Sequence, residues 1–185
     1  MMVRRPLVVT ARLPGTLFSV VEGLRRAHYP IERNHVPAHV TLFHALPPSA
    51  EPEVRRLLAS VAQSTAAPPG CTCGLTDLGS GTAIAIASPA LSALHRDLSV
   101  TLHGLLGMQD AGTPRFHITI QNKVTRAEAR GLQATLKGRV LDTHFAFAGL
   151  DLHRLVPVAI AGGAGAGEGG AAWEPAGSWT FRGRS

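Results

Sequence analysis

Two hydrophobic periods alternate along this chain, one of two residues and one of three to four, and they divide it into short strands and amphipathic helices. Residues 6–13 read as a strand ended by Pro14-Gly15. Leu17, Val20, Val21 and Leu24 then fall at helical spacing within 16–28, with Arg25 and Arg26 near the end of the helix, where its dipole favours cations. The segment from Tyr29 to Pro37 holds two prolines and no period, and it leads as a loop into a strand over 38–45 that Pro47-Pro48 stops. A helix capped by Ser49 or Glu51 runs to about Gln63, burying Val54, Leu57, Leu58 and Val61.

The scheme then repeats. Residues 71–78 and 82–87 form a hairpin around Gly79-Ser80-Gly81. Ser88-Pro89 opens a helix to about Leu106, striped by Leu91, Leu94, Leu98, Leu102 and Leu105. After a loop over 107–114 comes a strand at 116–122. Thr125 caps a helix over 126–138, and Glu128 three positions on completes a capping-box pattern. A strand at 143–155, a flexible loop over 161–172 that is almost all Gly and Ala, and a closing strand at 177–182 finish the chain.

Strands outnumbering helices predict an α+β fold, with mostly antiparallel sheets and helices packed outside. The unit of strand, helix, strand, helix occurs at 6–63 and again at 82–138, which reads as an internal duplication with approximate two-fold symmetry. At 185 residues and 45% hydrophobic composition, one compact domain over 1–185 or two interlocked lobes is expected. No run approaches the roughly 20 apolar residues of a membrane span, and no signal-peptide pattern follows the basic start, so a cytoplasmic protein is expected. Cys71 and Cys73, too close for an unstrained disulfide and lacking partners for zinc, read as small strand residues.

Charge adds a partner class. Lys and Arg number 18 against 12 acids, for a net charge of +6, and all but Lys123 and Lys137 of the basic residues are Arg. Arginine's planar fork suits phosphate oxygens, so the balance fits an anionic substrate such as RNA, and equally a chain with a compositional bias toward Arg. Between Arg115 and Arg139 the basic residues face a single acid, Glu128.

The chemistry sits on the two strands at matching places of the duplication. Ala38-His39-Val40-Thr41-Leu42-Phe43 has an echo in Phe116-His117-Ile118-Thr119-Ile120. On a strand, alternate side chains share a face, so each His and its Thr point the same way, about 6.5–7 Å apart. Two facing copies would present two imidazoles and two hydroxyls to one small space. That set can break a phosphodiester: one neutral imidazole takes a proton from the attacking water or hydroxyl, and one imidazolium gives a proton to the leaving oxygen. The threonine hydroxyls can hold the non-bridging oxygens, where charge builds up.

These residues carry a family resemblance. His39-Val40-Thr41-Leu42 and His117-Ile118-Thr119-Ile120, with Pro37-Ala38 and Phe43-His44 around the first and Gln121-Asn122-Lys123-Val124 after the second, resemble the two signature motifs of the 2H phosphoesterase superfamily, in its 2′-5′ RNA ligase-like branch. The resemblance implies a bilobed fold of two pseudo-symmetric lobes about a central cleft. It also implies metal-independent action, without cofactor, on 2′,3′-cyclic phosphate ends or 2′-5′ linkages of RNA, or on cyclic nucleotides. His39 and His117 would be the acid/base pair, and Thr41 and Thr119 the phosphate holders. The Gly/Ala-rich insertion before Trp173 departs from the shorter turn the family leads one to expect.

Further candidates are weaker. Gln121 and Lys123 lie on the His117 face of a regular strand and would reach phosphate or base, and Phe43 on the His39 face would stack on a base or join the core. Arg115 reads as a surface residue, and His44 points away from His39. His44, His95, His153 and the remaining histidines lack a partner motif and read as structural or surface residues, and Trp173 and Trp179 as packing. A monomer is expected. Two other classes fit less of the pattern: a basic RNA-binding module without turnover, and a metallohydrolase, for which neither motif offers a third ligand at the usual spacing.

Overall fold

The computed structural model describes residues 6–139, 142–158 and 170–184. In chain order the elements are β1 (Leu7–Arg12), α1 (Gly15–His28), β2 (Val40–Leu46), α2 (Glu51–Ser64), β3 (Pro69–Asp77), β4 (Gly81–Ala87), α3 (Pro89–Thr101), β5 (His117–Asn122), α4 (Arg126–Leu136), β6 (His144–Ala146), β7 (Gly149–Val158) and β8 (Gly170–Thr180). The strands form two four-stranded sheets, ordered β2-β1-β7-β8 and β5-β4-β3-β6, and every pairing is antiparallel. The α+β expectation holds. So does the duplication: β1-α1-β2-α2 and β4-α3-β5-α4 occupy equivalent places, each with its histidine strand at a sheet edge.

The helices form where the apolar spacing puts them, and their caps follow local chemistry. Ser88 accepts a hydrogen bond from the Leu91 amide at the start of α3, and Thr125 and Glu128 make the reciprocal capping box of α4. Leu17 and Val21 of α1, Val54 and Leu58 of α2, and Leu91, Leu94 and Leu98 of α3 enter one core shared with Val9, Leu42, Ile118 and Ile120 of the strands. None of the described helices is long and apolar enough to cross a membrane.

Several boundaries move. Helix α3 stops at Thr101 and a 3-10 turn over His103–Leu105 follows, with Leu102 still fully buried, so the apolar stripe outlasts the helix. The strand expected at 143–155 is two strands in different sheets. Between them the Phe147 amide bonds the Pro68 carbonyl and the Ala148 amide bonds the Arg12 carbonyl, and the chain crosses from one lobe to the other there. Gly149 makes the crossing possible, because a Cβ would collide with the Trp179 carbonyl. Of the loop expected at 161–172, residues 161–169 lie outside the described residues and 170–172 open β8, which starts well before the expected 177. On α1, Val20 is 64% exposed while Arg25 is buried, the reverse of the apolar reading.

Cys71 and Cys73 are free thiols on β3.

Candidate active site

Both motif histidines are fixed by the same local device. His39 ends the loop just before β2, and its Nδ1 donates to the Pro37 carbonyl at 2.7 Å. His117 opens β5, and its Nδ1 donates to the Arg115 carbonyl at 2.9 Å. A carbonyl only accepts, so in each ring the proton of the neutral form sits on Nδ1 and Nε2 keeps its lone pair. The two lobes thus present two imidazoles of the same tautomer at the edges of their sheets. β2 and β5 lie against each other across the boundary between the lobes.

The loop that carries His39 is held by two residues of α1. Glu22 accepts the Ala38 amide at 2.8 Å. Arg25, only 3% exposed, donates to the Val36 carbonyl at 2.5 Å, to Asn34 Oδ1 at 2.7 Å and, across the lobe boundary, to the Thr119 carbonyl at 2.6 Å. One guanidinium therefore ties the approach to the first motif to the backbone of the second. Its fork of donors is what allows three acceptors to be met at once. Arg25 Nε also lies 3.7 Å from the Glu22 carboxylate. At the sequence level these two residues look like the polar face of a helix; an arginine in phase with Leu17 and Val21 was the one available signal.

His39 faces a pocket of about 430 Å³ lined also by Phe18, Thr10, Asp151, His153 and Trp173. The Trp173 ring stands 4.4 Å from the His39 ring and 4.9 Å from the His153 ring, centre to centre. Burial in these surroundings pushes the His39 pKa down to about 4, against the bond to Pro37, which raises it; the charges of Arg25, His153 and His117 lower it further. His117 is thus close enough to act on His39 electrostatically. Burial also lowers His95 and His153.

That shift gives a stability prediction. An unfolded histidine titrates at its ordinary value of 6.5 and His39 in the fold at about 4, so in that interval the unfolded chain binds the extra proton. Stability is expected to fall as pH is lowered from about 6.5 toward 4, with His95 and His153 acting in the same direction. Denaturant titrations across this window should show a shallower slope for His39→Asn; an identical slope would contradict a ring held neutral by its desolvated surroundings.

On the other side, a second pocket of about 250 Å³ is lined by Thr41, His117, Arg115, His44 and Asp110. Thr41 and His117 are thus brought together. Thr119 is half-buried on β5 next to this region and lines neither pocket. Two β-bulges correct the remaining candidates. The β1–β2 register runs Thr10↔Thr41 but Val9↔Phe43, so β2 carries an extra residue at Leu42 and its alternation inverts. Phe43 turns into the core, fully buried and stacked on His95 at 4.7 Å, with no face left for a base. His44 lines the pocket of Thr41 and His117, whereas His39 lines the other.

On β5 the register passes from Ala83↔Thr119 to Thr82↔Gln121, leaving Ile120 unopposed. Gln121 therefore leaves the His117 face and is buried, its Oε1 without a hydrogen-bond partner among the described residues. Lys123 lies beyond the strand end in a left-handed turn, φ 61°, exposed and outside both pockets. Arg115, Trp173 and His153, read as surface or packing residues, line the pockets. No group of three His, Cys, Asp or Glu able to hold a metal ion occurs among the described residues.

Comparison with known proteins bears on the family and the fold. Residues 13–156 match the sequence model of the 2′-5′ RNA ligase superfamily. Curated protein sequences give no match. Among solved structures, a Thermus thermophilus protein superposes with a TM-score of 0.66 at 16% identity, over 97% of this chain and 100% of its own. E. coli LigT complexed with 3′-AMP superposes with a TM-score of 0.57 at 15% identity, over 97% and 99%. A structure described as a phosphoesterase gives a TM-score of 0.56 at 15% identity, over 97% and 99%. At these identities the likeness is one of fold.

Proposed function

Because the chain belongs to the 2′-5′ RNA ligase superfamily, we propose that it is a metal-independent phosphodiesterase acting on 2′,3′-cyclic phosphate ends, or 2′-5′ linkages, of RNA through His39 and His117. The observation that carries this reading is the paired tautomer: both rings spend Nδ1–H on a carbonyl two residues back, which leaves both Nε2 atoms for proton transfer.

The His39 environment divides the roles. A group whose pKa is about 4 is protonated in roughly one molecule in a thousand at pH 7, so it is available to accept a proton and not to supply one. His39 Nε2 takes a proton from water as the water oxygen attacks phosphorus. The bond from phosphorus to the 3′-oxygen breaks, and that oxygen receives a proton from the Nε2 of a protonated His117. The product carries a 2′-phosphate and a free 3′-hydroxyl. Thr41 and Thr119 would donate to the non-bridging oxygens, neutralising the charge that grows on them. The protein's positive balance, 18 basic residues against 12 acidic, favours such a polyanion at the cleft.

The test is a short RNA ending in 2′,3′-cyclic phosphate, incubated with the protein in a strong chelator. Hydrolysis with the phosphate retained on the 2′-oxygen is expected, at a rate the chelator leaves unchanged. Salt-sensitive binding with no product would instead make the protein a basic RNA-binding module, and loss of turnover in chelator would make it a metalloenzyme.

A further inference from the structure

The pocket lined by Thr41 and His117 also holds His95, which is buried against Phe43, and His44, an exposed imidazole that the two-histidine reaction does not use. His44 Nδ1 lies 2.7 Å from Asp110 Oδ1, and the His44 backbone amide donates to the same carboxylate, 2.9 Å to Oδ2 and 3.1 Å to Oδ1. Asp110 is 6% exposed, at the end of the 3-10 turn Met108–Asp110, whereas the side chain of His44 is 44% exposed. A buried carboxylate that grips both the main chain and the ring of one residue fixes that ring's orientation and tautomer. With Nδ1–H spent on Asp110, the neutral ring keeps its Nε2 lone pair for whatever enters the pocket. An acceptor held in this way looks for a hydroxyl donor.

The pocket suits a sugar. Its volume of about 250 Å³ is below the range of about 300–1,000 Å³ usual for whole small-molecule sites, so it takes one unit of a larger substrate. Its lining mixes the hydrogen-bonding side chains of Thr41, Thr113, Gln109 and Arg115 with the apolar Leu42 and Pro114, as a sugar with its hydroxyls and its ring carbons requires, while the rings of Phe18 and Trp173 line the pocket on the His39 side. In a substrate ending in 2′,3′-cyclic phosphate both hydroxyls of the terminal ribose are esterified. The nearest free one is the 2′-hydroxyl of the preceding nucleotide.

We propose that His44, oriented by Asp110, accepts a hydrogen bond from the 2′-hydroxyl of the nucleotide preceding the scissile cyclic phosphate and so makes the enzyme select ribose over deoxyribose there. His44 is then a specificity-determining residue in contact with substrate, and Asp110 is its positioning residue. The inference rests on the phosphodiesterase reading above and names the substrate feature that this pocket recognises. The 2′-hydroxyl is the group by which RNA differs from DNA at any one site, and the cyclic phosphate itself cannot report on it.

The test uses two dinucleotides that both end in 2′,3′-cyclic phosphate and differ only in ribose or 2′-deoxyribose at the first nucleotide. For the unaltered protein, kcat/KM should favour the ribose form by about tenfold, the worth of one such hydrogen bond. His44→Ala should bring the ratio near one. His44→Gln, whose amide oxygen can accept, should retain part of it, and Asp110→Asn should reduce it. A ratio isolates recognition from any general loss of folded protein, which lowers both rates alike. A ratio near one in the unaltered protein, or one that survives His44→Ala, overturns the inference while leaving the phosphodiesterase reading intact. Failure of the unaltered protein to open either dinucleotide would remove both.

Discussion

Replacing His117 by Ala is expected to lower the rate of cyclic phosphate opening by about 10²–10⁴-fold, with the circular dichroism and the unfolding midpoint close to those of the parent. The ring is half-exposed at the start of β5, and its one bond is to the Arg115 carbonyl, which solvent can satisfy once the ring is gone. Little of the fold depends on it, so the loss should be chemical. His39→Ala is expected to lose as much, and the double variant little more than either single one, because an acid without its base contributes little.

The pH profile separates the roles. In the parent, kcat/KM should hold as pH falls from neutrality toward about 4, the value to which burial lowers His39, and then decline as the base protonates. Replacing His117 should lower the rate without moving this acid-side decline. Full activity of either alanine variant on a cyclic phosphate would end the two-histidine account. A decline centred near 6.5 on the acid side would show that His39 is not the base.

The second large effect is at Arg25. Arg25→Met keeps the length of the side chain and removes the guanidinium, leaving the Val36 and Thr119 carbonyls and Asn34 without their donor and Glu22 without its cation. Breaking a buried charged network from one side costs about 3–5 kcal/mol, which for a chain of this size lowers Tm by roughly 6–20 °C. Activity should fall further than the folded fraction accounts for, because the same bonds set the loop that carries His39 against β5. Arg25→Lys should recover little, since a single ammonium cannot span acceptors on the loop and on the other lobe. A Tm within 2 °C of the parent, roughly what 1 kcal/mol would give, would show that the three short bonds contribute no net stability.

The fold was largely legible because its signals are local and repeated. The apolar spacing of Leu17, Val21, Val54, Leu58, Leu91 and Leu98 marks the buried helix faces, the Thr125–Glu128 box marks one helix start, and the doubled motif marks the symmetry. The doubled motif drew attention to the histidines for the same reason, and the structure lines one pocket with His39 and the other with Thr41 and His117. What stayed hidden depends on contacts between distant residues. A bulge at Leu42 breaks the alternation of β2, and nothing in the run from His39 to His44 announces it, so Phe43 enters the core and not the face of His39 that its spacing assigns it. Gln121 was displaced by the same kind of irregularity on β5. Arg25 reads as a solvated cation until the Thr119 carbonyl is seen beside it, 94 positions away in sequence. Trp173 reaches the pocket through strand pairing along β7 and β8 that no local pattern encodes.

The order of strands also has a consequence for biosynthesis. The sheet β5-β4-β3-β6 comes from one uninterrupted stretch, Pro69 to Ala146, whereas β1 at the centre of the other sheet waits for β7, which begins at Gly149. During translation from the N-terminus the half holding His117 can close while the half holding His39 still exposes an unpaired strand edge, the kind of surface that invites misassembly. The nascent chain therefore acquires its two sheets at different times, and β7 and β8 complete the half that was begun first.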